Sequence, residues 1–113
     1  MDLIFNKVHA DLLREKYTVL ELETIQHPNL PEPLTAWCVV PAEKVIPEIE
    51  FLPLNCDLHQ NLIDALHEHK TDTVLKLCEE LKGKFGGELN TFYEALEKRI
   101  QDTGSCVFNP PSN

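Results

Sequence analysis

A chain of 113 residues with 42% apolar and 26% charged side chains has the make-up of one folded domain, long enough to bury roughly two thirds of its unfolded surface. Its 19 acids against 10 bases give a net charge of −9, and no three bases are consecutive, which disfavours direct binding to a nucleic-acid backbone. No apolar run approaches the roughly 20 residues of a membrane span and the first residues lack the layout of a secretory leader, so a soluble, cytoplasmic protein is expected.

Residues 2–15 are ambiguous. Phe5, Val8 and Leu12 suit a short helix, whereas Leu13, Glu15 and Tyr17 would extend a strand backwards. From Tyr17 to Ile25 the chain is rich in β-branched residues and alternates Leu20 and Leu22 with Glu21 and Glu23, as a half-buried strand does. The connection 28–33, with three prolines, suits neither helix nor strand. Thr35 to Val40 reads as a second strand, ended by Pro41, and a long-looped antiparallel hairpin joins the two. Val45 to Leu52, interrupted by Pro47, is at most an extended edge segment.

Residues 54–109 contain no proline, in keeping with helical periodicity. A first helix starts at Asp57, with Gln60 completing a capping box and a stripe of Leu58, Leu62, Ile63 and Leu66. A second starts near Thr71, with Val74, Leu77, Cys78, Leu81 and Phe85. A third runs from about Glu88 to Asp102 with Leu89, Phe92, Tyr93, Leu96 and Ile100, and Gly104 stops it. The expected fold is α+β: a small antiparallel sheet from the N-terminal half packed on one face against three C-terminal helices. One domain spans 1–104 and a flexible tail spans 105–113. Two strands alone are marginal in water, so a homo-oligomer, foremost a homodimer, is expected to cover the free edges.

The cysteines, Cys38, Cys56, Cys78 and Cys106, include no C-x-x-C pair and read as reduced thiols. Cys56, His59, His67 and His69 crowd together, but residues eight apart on a helix are about 12 Å apart along its axis, whereas ligands of one zinc all lie within about 2.0–2.3 Å of it. Cys56 with His59 is therefore half a metal site at most, and the three histidines read as solvated. Glu21 with Glu23, Glu48 with Glu50, and Glu79 with Glu80 read as solvated carboxylates, because acid–base catalysis needs two groups in different environments. Ser105 and Ser112 are the only serines and have no neighbouring base. Neither enzymatic activity nor a cofactor is expected.

The densest local chemistry is Gly83-Lys84-Phe85-Gly86-Gly87-Glu88-Leu89-Asn90-Thr91-Phe92-Tyr93, which holds three of the four glycines. It lacks the Gly-x-x-x-x-Gly-Lys-[Ser/Thr] order of a phosphate loop, joins helix to helix, and places Glu88 where an anion would sit. Two readings remain. One is an architectural joint, with a capping glycine and tight packing against Phe85. The other is a recognition surface on which Lys84, Phe85, Asn90 and Tyr93 are exposed together to a partner.

The run from Lys82 to Tyr93, continuing to Leu96, Arg99 and Ile100, together with Val19 to Thr24 and Thr35 to Val40, resembles a family of small uncharacterised proteins of tailed phages that infect marine cyanobacteria. The similar pieces cover about a third of the chain. The family pattern has Trp where Phe85 stands and Asp where Asn90 stands, so a partner contact at those positions would differ here. The resemblance implies expression in the host cytoplasm and brings no known activity or catalytic residue. The expected function is a non-enzymatic interaction protein or accessory factor of phage origin, with a host or phage protein as partner. Nucleic-acid binding through an oligomeric surface and a metal-stabilised protein are the alternatives.

Overall fold

Apolar alternation in the first half of the chain and helical periodicity in the second produce an α+β fold. In the computed structural model, which describes residues 2–26 and 28–107, the elements are β1 (Asp2–Ile4), α1 (Lys7–Leu13), β2 (Thr18–Ile25), β3 (Leu34–Val40), α2 (Ala42–Val45), α3 (Leu52–His67), α4 (Thr71–Leu81) and α5 (Asn90–Thr103). Short 3₁₀ turns occupy Ile46–Phe51 and Phe85–Gly87.

The antiparallel sheet has the order β1-β3-β2. The long-looped hairpin of β2 and β3 is the expected one. The sequence did not disclose β1, a third strand that pairs Leu3 with Cys38 and leaves β3 shielded on both sides. Alternation along β3 sorts its side chains between two cores. Cys38 and Val40 join Leu20 and Leu22 in the main core beneath α3, α4 and α5. Trp37 packs with Val19 and with Ala10 of α1 on the opposite face. The three C-terminal helices thus cover one face of the sheet, as expected, and α1 covers the other.

β2 carries a β-bulge. Glu21 lies opposite Trp37, yet Thr24 lies opposite Thr35, one residue out of step. An extra residue shifts the inward–outward alternation of a strand. Here it turns Glu23 toward the helical layer, where Arg99 of α5 meets it with a two-pronged ion pair at 2.5 and 2.9 Å.

Three boundaries differ from expectation. The segment 45–52 is helical, not extended, because its prolines stand at helix starts. Pro41 is the N-cap of α2, and Pro47 and Pro53 fall in the first turns that follow, where no backbone donor is needed. α3 accordingly begins at Leu52 instead of Asp57, and Gln60 bonds Asp64 one turn on rather than closing a capping box. The packed chain also continues past Gly104, a left-handed C-cap at φ +74°. Cys106 is buried; its N–H donates to Thr71 Oγ1 and its carbonyl accepts from Arg99. Ser105–Val107 thus belong to the fold. The remainder of the expected tail, 108–113, lies outside the described residues.

Candidate interaction site

The glycine turn is an architectural joint. Phe85, Gly86 and Gly87 follow one another at φ +53°, +63° and +79°, a left-handed run that a bulky residue enters only at a cost. For Phe85 the compensation is burial of its ring, edge-on to His59 at 6.2 Å. At Gly86 a Cβ would come within 2.8 Å of the Lys44 carbonyl oxygen, so α2 and the turn before α5 can touch only through glycine. Asn90 Oδ1 accepts from the Gly83 N–H at 2.8 Å, tying the two ends of the turn together.

This corrects the expected recognition surface. Phe85 and Tyr93 are buried, while Lys84 and Asn90 are partly exposed. The four do not form one exposed contact, because Phe85 and Tyr93 both point at a buried histidine.

His59 is that histidine, and the expectation that it is solvated is also corrected. It lies on the stripe of α3 formed by Asn55, Leu62 and Ile63, at the three- and four-residue spacings of one helix face. Its Nε2 lies 2.6 Å from the Glu21 carbonyl oxygen and its Nδ1 2.8 Å from Tyr93 Oη. A carbonyl only accepts, so Nε2 carries the proton and Nδ1 accepts from the tyrosine hydroxyl. Burial pulls the His59 pKa down, against smaller opposing effects of the Glu21 carbonyl and charge, and the ring stays neutral. With both nitrogens engaged, His59 has no lone pair left for a metal, which removes it from the half-site proposed with Cys56. Among the described residues no three His, Cys, Asp or Glu side chains are grouped to hold a metal ion.

His67 and Glu23 are likewise tied into the framework. His67 Nε2 lies 3.2 Å from Glu21 Oε2, and the Glu23 carboxylate is gripped by Arg99 with both side chains 19% exposed. Glu21 and Glu23 are thus not the solvated pair expected, whereas Glu48, Glu50, Glu79 and Glu80 are exposed. Between β2 and the end of α3 lies an open cleft of about 380 Å³, with Leu22, Ile63 and Leu66 among its walls and His67 and His69 at its rim. All four cysteines are free thiols, as reduced side chains should be. Burial pushes the thiols of Cys38 and Cys78 up to about 12.

What the fold leaves unsatisfied is apolar surface. α1 buries Ala10 against Trp37 but turns Val8 and Leu12 outward, at 70% and 62% exposure, with Phe5 exposed just ahead of them. Val8 and Leu12 are four residues apart and share a helix face. A second strip follows β3: Ile46, Ile49 and Phe51 in the 3₁₀ turn and Leu54 in the first turn of α3 are all more than half exposed. Single exposed apolar side chains are ordinary, but contiguous groups mark contact surfaces. Phe5, Val8 and Leu12 could be found in the sequence as a helical stripe; what could not be read is that the stripe faces away from the sheet.

Comparison with known proteins returns no matching family model, curated protein or solved structure. No helix among the described residues is long and apolar enough to cross a membrane.

Proposed function

We propose that the protein is a non-enzymatic interaction factor that binds another protein chain through the outward apolar strip of α1. The observation that carries this reading is the orientation of a seven-residue helix that anchors itself by Ala10 and presents Val8 and Leu12 to solvent. Leaving two such side chains in water forgoes roughly 1.5–3 kcal/mol each, which a partner recovers by covering them. The engaged state of His59, His67 and Glu23 agrees with a structural rather than catalytic use of these groups. The accessory role in a host cytoplasm that the family resemblance implies fits within this reading.

Affinity capture from a cyanobacterial lysate, comparing the wild type with a Val8→Ser/Leu12→Ser variant, tests it. Loss of specifically retained proteins from the variant supports the reading. An identical retained set, from a variant whose circular dichroism matches the wild type, refutes it.

A further inference from the structure

β2 is an outer strand of the sheet, paired with β3 along one edge only. Opposite residues of an antiparallel ladder alternate between pairs that exchange backbone hydrogen bonds and pairs that turn those groups away from each other. The Glu21 carbonyl is turned away from β3, since His59 Nε2 meets it from α3 at 2.6 Å. Glu21 lies opposite Trp37, and Thr24, beyond the bulge, lies opposite Thr35, two positions along β3. The two pairs therefore share a parity, and Thr24 also directs its N–H and C=O to the open edge. The Thr24 and Thr35 hydroxyls, 2.8 Å apart, agree with this, because side chains come closest in pairs that exchange no backbone bonds. His59 closes the edge at Glu21. Among the described residues no backbone hydrogen bond from outside the sheet reaches 22–26.

The cleft of about 380 Å³ opens along this same stretch. Leu22, Glu23, Thr24 and Gln26 line it from β2, and the end of α3 supplies Ile63 and Leu66. Glu23 is the only carboxylate on the lining and Arg99 neutralises it. No lysine or arginine lines the cleft, so an anionic ligand finds no permanent cation there. A neutral chain with amides along one edge and apolar side chains finds both kinds of partner. From 22 to 26 the strand runs about 13 Å, room for about four residues of extended chain.

We propose that this cleft takes an extended segment of another protein, which adds a fourth strand to the three-stranded sheet at the open edge of β2. Its backbone pairs with Thr24, and alternate apolar side chains rest on Leu22, Ile63 and Leu66. The contact is separate from the α1 strip, which lies on the other face of the sheet: Leu22 and Leu66 belong to the main core, whereas α1 packs with Trp37. A lone segment fits better than a second copy. The β2 of another copy brings its own α3, tied to the same edge through His59, and the two helices would meet first.

Selection of random linear heptapeptides from a displayed library on the immobilised full chain, followed by fluorescence anisotropy of an enriched peptide, tests this. The peptide is then N-methylated on either of its two alternating sets of residues. One set should weaken binding at least about tenfold, because those amides face β2, and the other should leave it within about twofold. Thr24→Pro removes an outward N–H at a sheet edge, where proline is tolerated, and should weaken the unmodified peptide at least about tenfold. Val8→Ser/Leu12→Ser should leave its affinity unchanged. If Thr24→Pro fails to fold, hydrogen exchange of the wild type replaces it: the Thr24 amide should exchange at least about tenfold more slowly with peptide bound.

No enriched peptide, equal weakening by both methylated sets, or a bound peptide that leaves Thr24 exchange unchanged each overturns the proposal. Binding lost in Val8→Ser/Leu12→Ser and kept in Thr24→Pro assigns the peptide to the α1 strip, which overturns this proposal and supports the reading above. Dimerisation of the free chain that Thr24→Pro abolishes overturns it in favour of a second copy.

Discussion

His59 Nδ1 and Tyr93 Oη lie 2.8 Å apart in the centre of the protein, joining α3 to α5. The same imidazole reaches the Glu21 carbonyl of β2 through its other nitrogen. One side chain thus pins two helices and a strand, and each hydrogen bond satisfies a polar atom that water does not reach.

Tyr93→Phe removes the hydroxyl and leaves Nδ1 buried without a donor. The expected cost is about 1–2 kcal/mol, read as a lower denaturant midpoint with unchanged slope.

Acid should weaken the same node. Burial holds the His59 pKa below the ordinary value of 6.5, so as pH falls the unfolded chain binds the proton before the folded one does. The stability contributed by neutral His59 is complete above pH 6.5 and is lost as pH falls through the folded-state value. In His59→Gln the titrating group is gone. The stability advantage of the wild type over this variant should therefore shrink between about pH 7 and about pH 5; a constant difference across that range contradicts the assignment.

Gly86 and Gly83 form a matched pair for separating two costs. Both have positive φ, but a Cβ at Gly83 meets nothing within 4 Å whereas one at Gly86 meets the Lys44 backbone at 2.8 Å. Gly83→Ala should cost about 1 kcal/mol, from the left-handed conformation alone. Gly86→Ala should cost at least about 1 kcal/mol more, because backbone must move. Equal midpoints for the two variants would show that α2 yields freely.

The periodic features of this fold were legible in advance. β2 and β3 stand where their β-branched runs place them, and the buried residues of α4 and α5 are their stripe residues. What could not be read depends on which neighbour a segment meets. His59 shares a stripe with Leu62 and Ile63, but a polar residue on an apolar face is buried only where acceptors and donors such as Glu21 and Tyr93 converge on it. α1 shows the converse, since its Phe5–Val8–Leu12 stripe is the one that faces out and the small Ala10 is the contact. The bulge at Glu21–Thr24 leaves no mark in composition, yet it decides that Glu23 meets Arg99. Prolines misled because Pro47 and Pro53 start helices here instead of ending them.

The Arg99–Glu23 pair should behave as a clasp on the C-terminal segment. Arg99 bonds Glu23 and the Cys106 carbonyl together, so Arg99→Ala both orphans a largely buried carboxylate and frees residues 105–107. A loss of about 2–3 kcal/mol is expected. Glu23→Ala/Arg99→Ala should cost less than the sum of the single variants, and proteolysis should cut Arg99→Ala near Ser105 sooner than the wild type.

Thiol chemistry offers a check on the core that needs no mutation. The thiolate is the reactive species, and burial pushes the Cys38 and Cys78 thiols up to about 12. Cys106 is also buried, under Arg99 and Thr71. Cys56 is the one cysteine with appreciable exposure, although burial and the charge of Asp57 raise its pKa too. Alkylation of the native protein at about pH 8 should therefore add one label per chain, slowly and at Cys56, and denaturant should add the other three. Peptide mass mapping identifies the labelled site. Native labelling of Cys38 at the rate of Cys56 would mean that the sheet opens toward the helices far more readily than its packing allows.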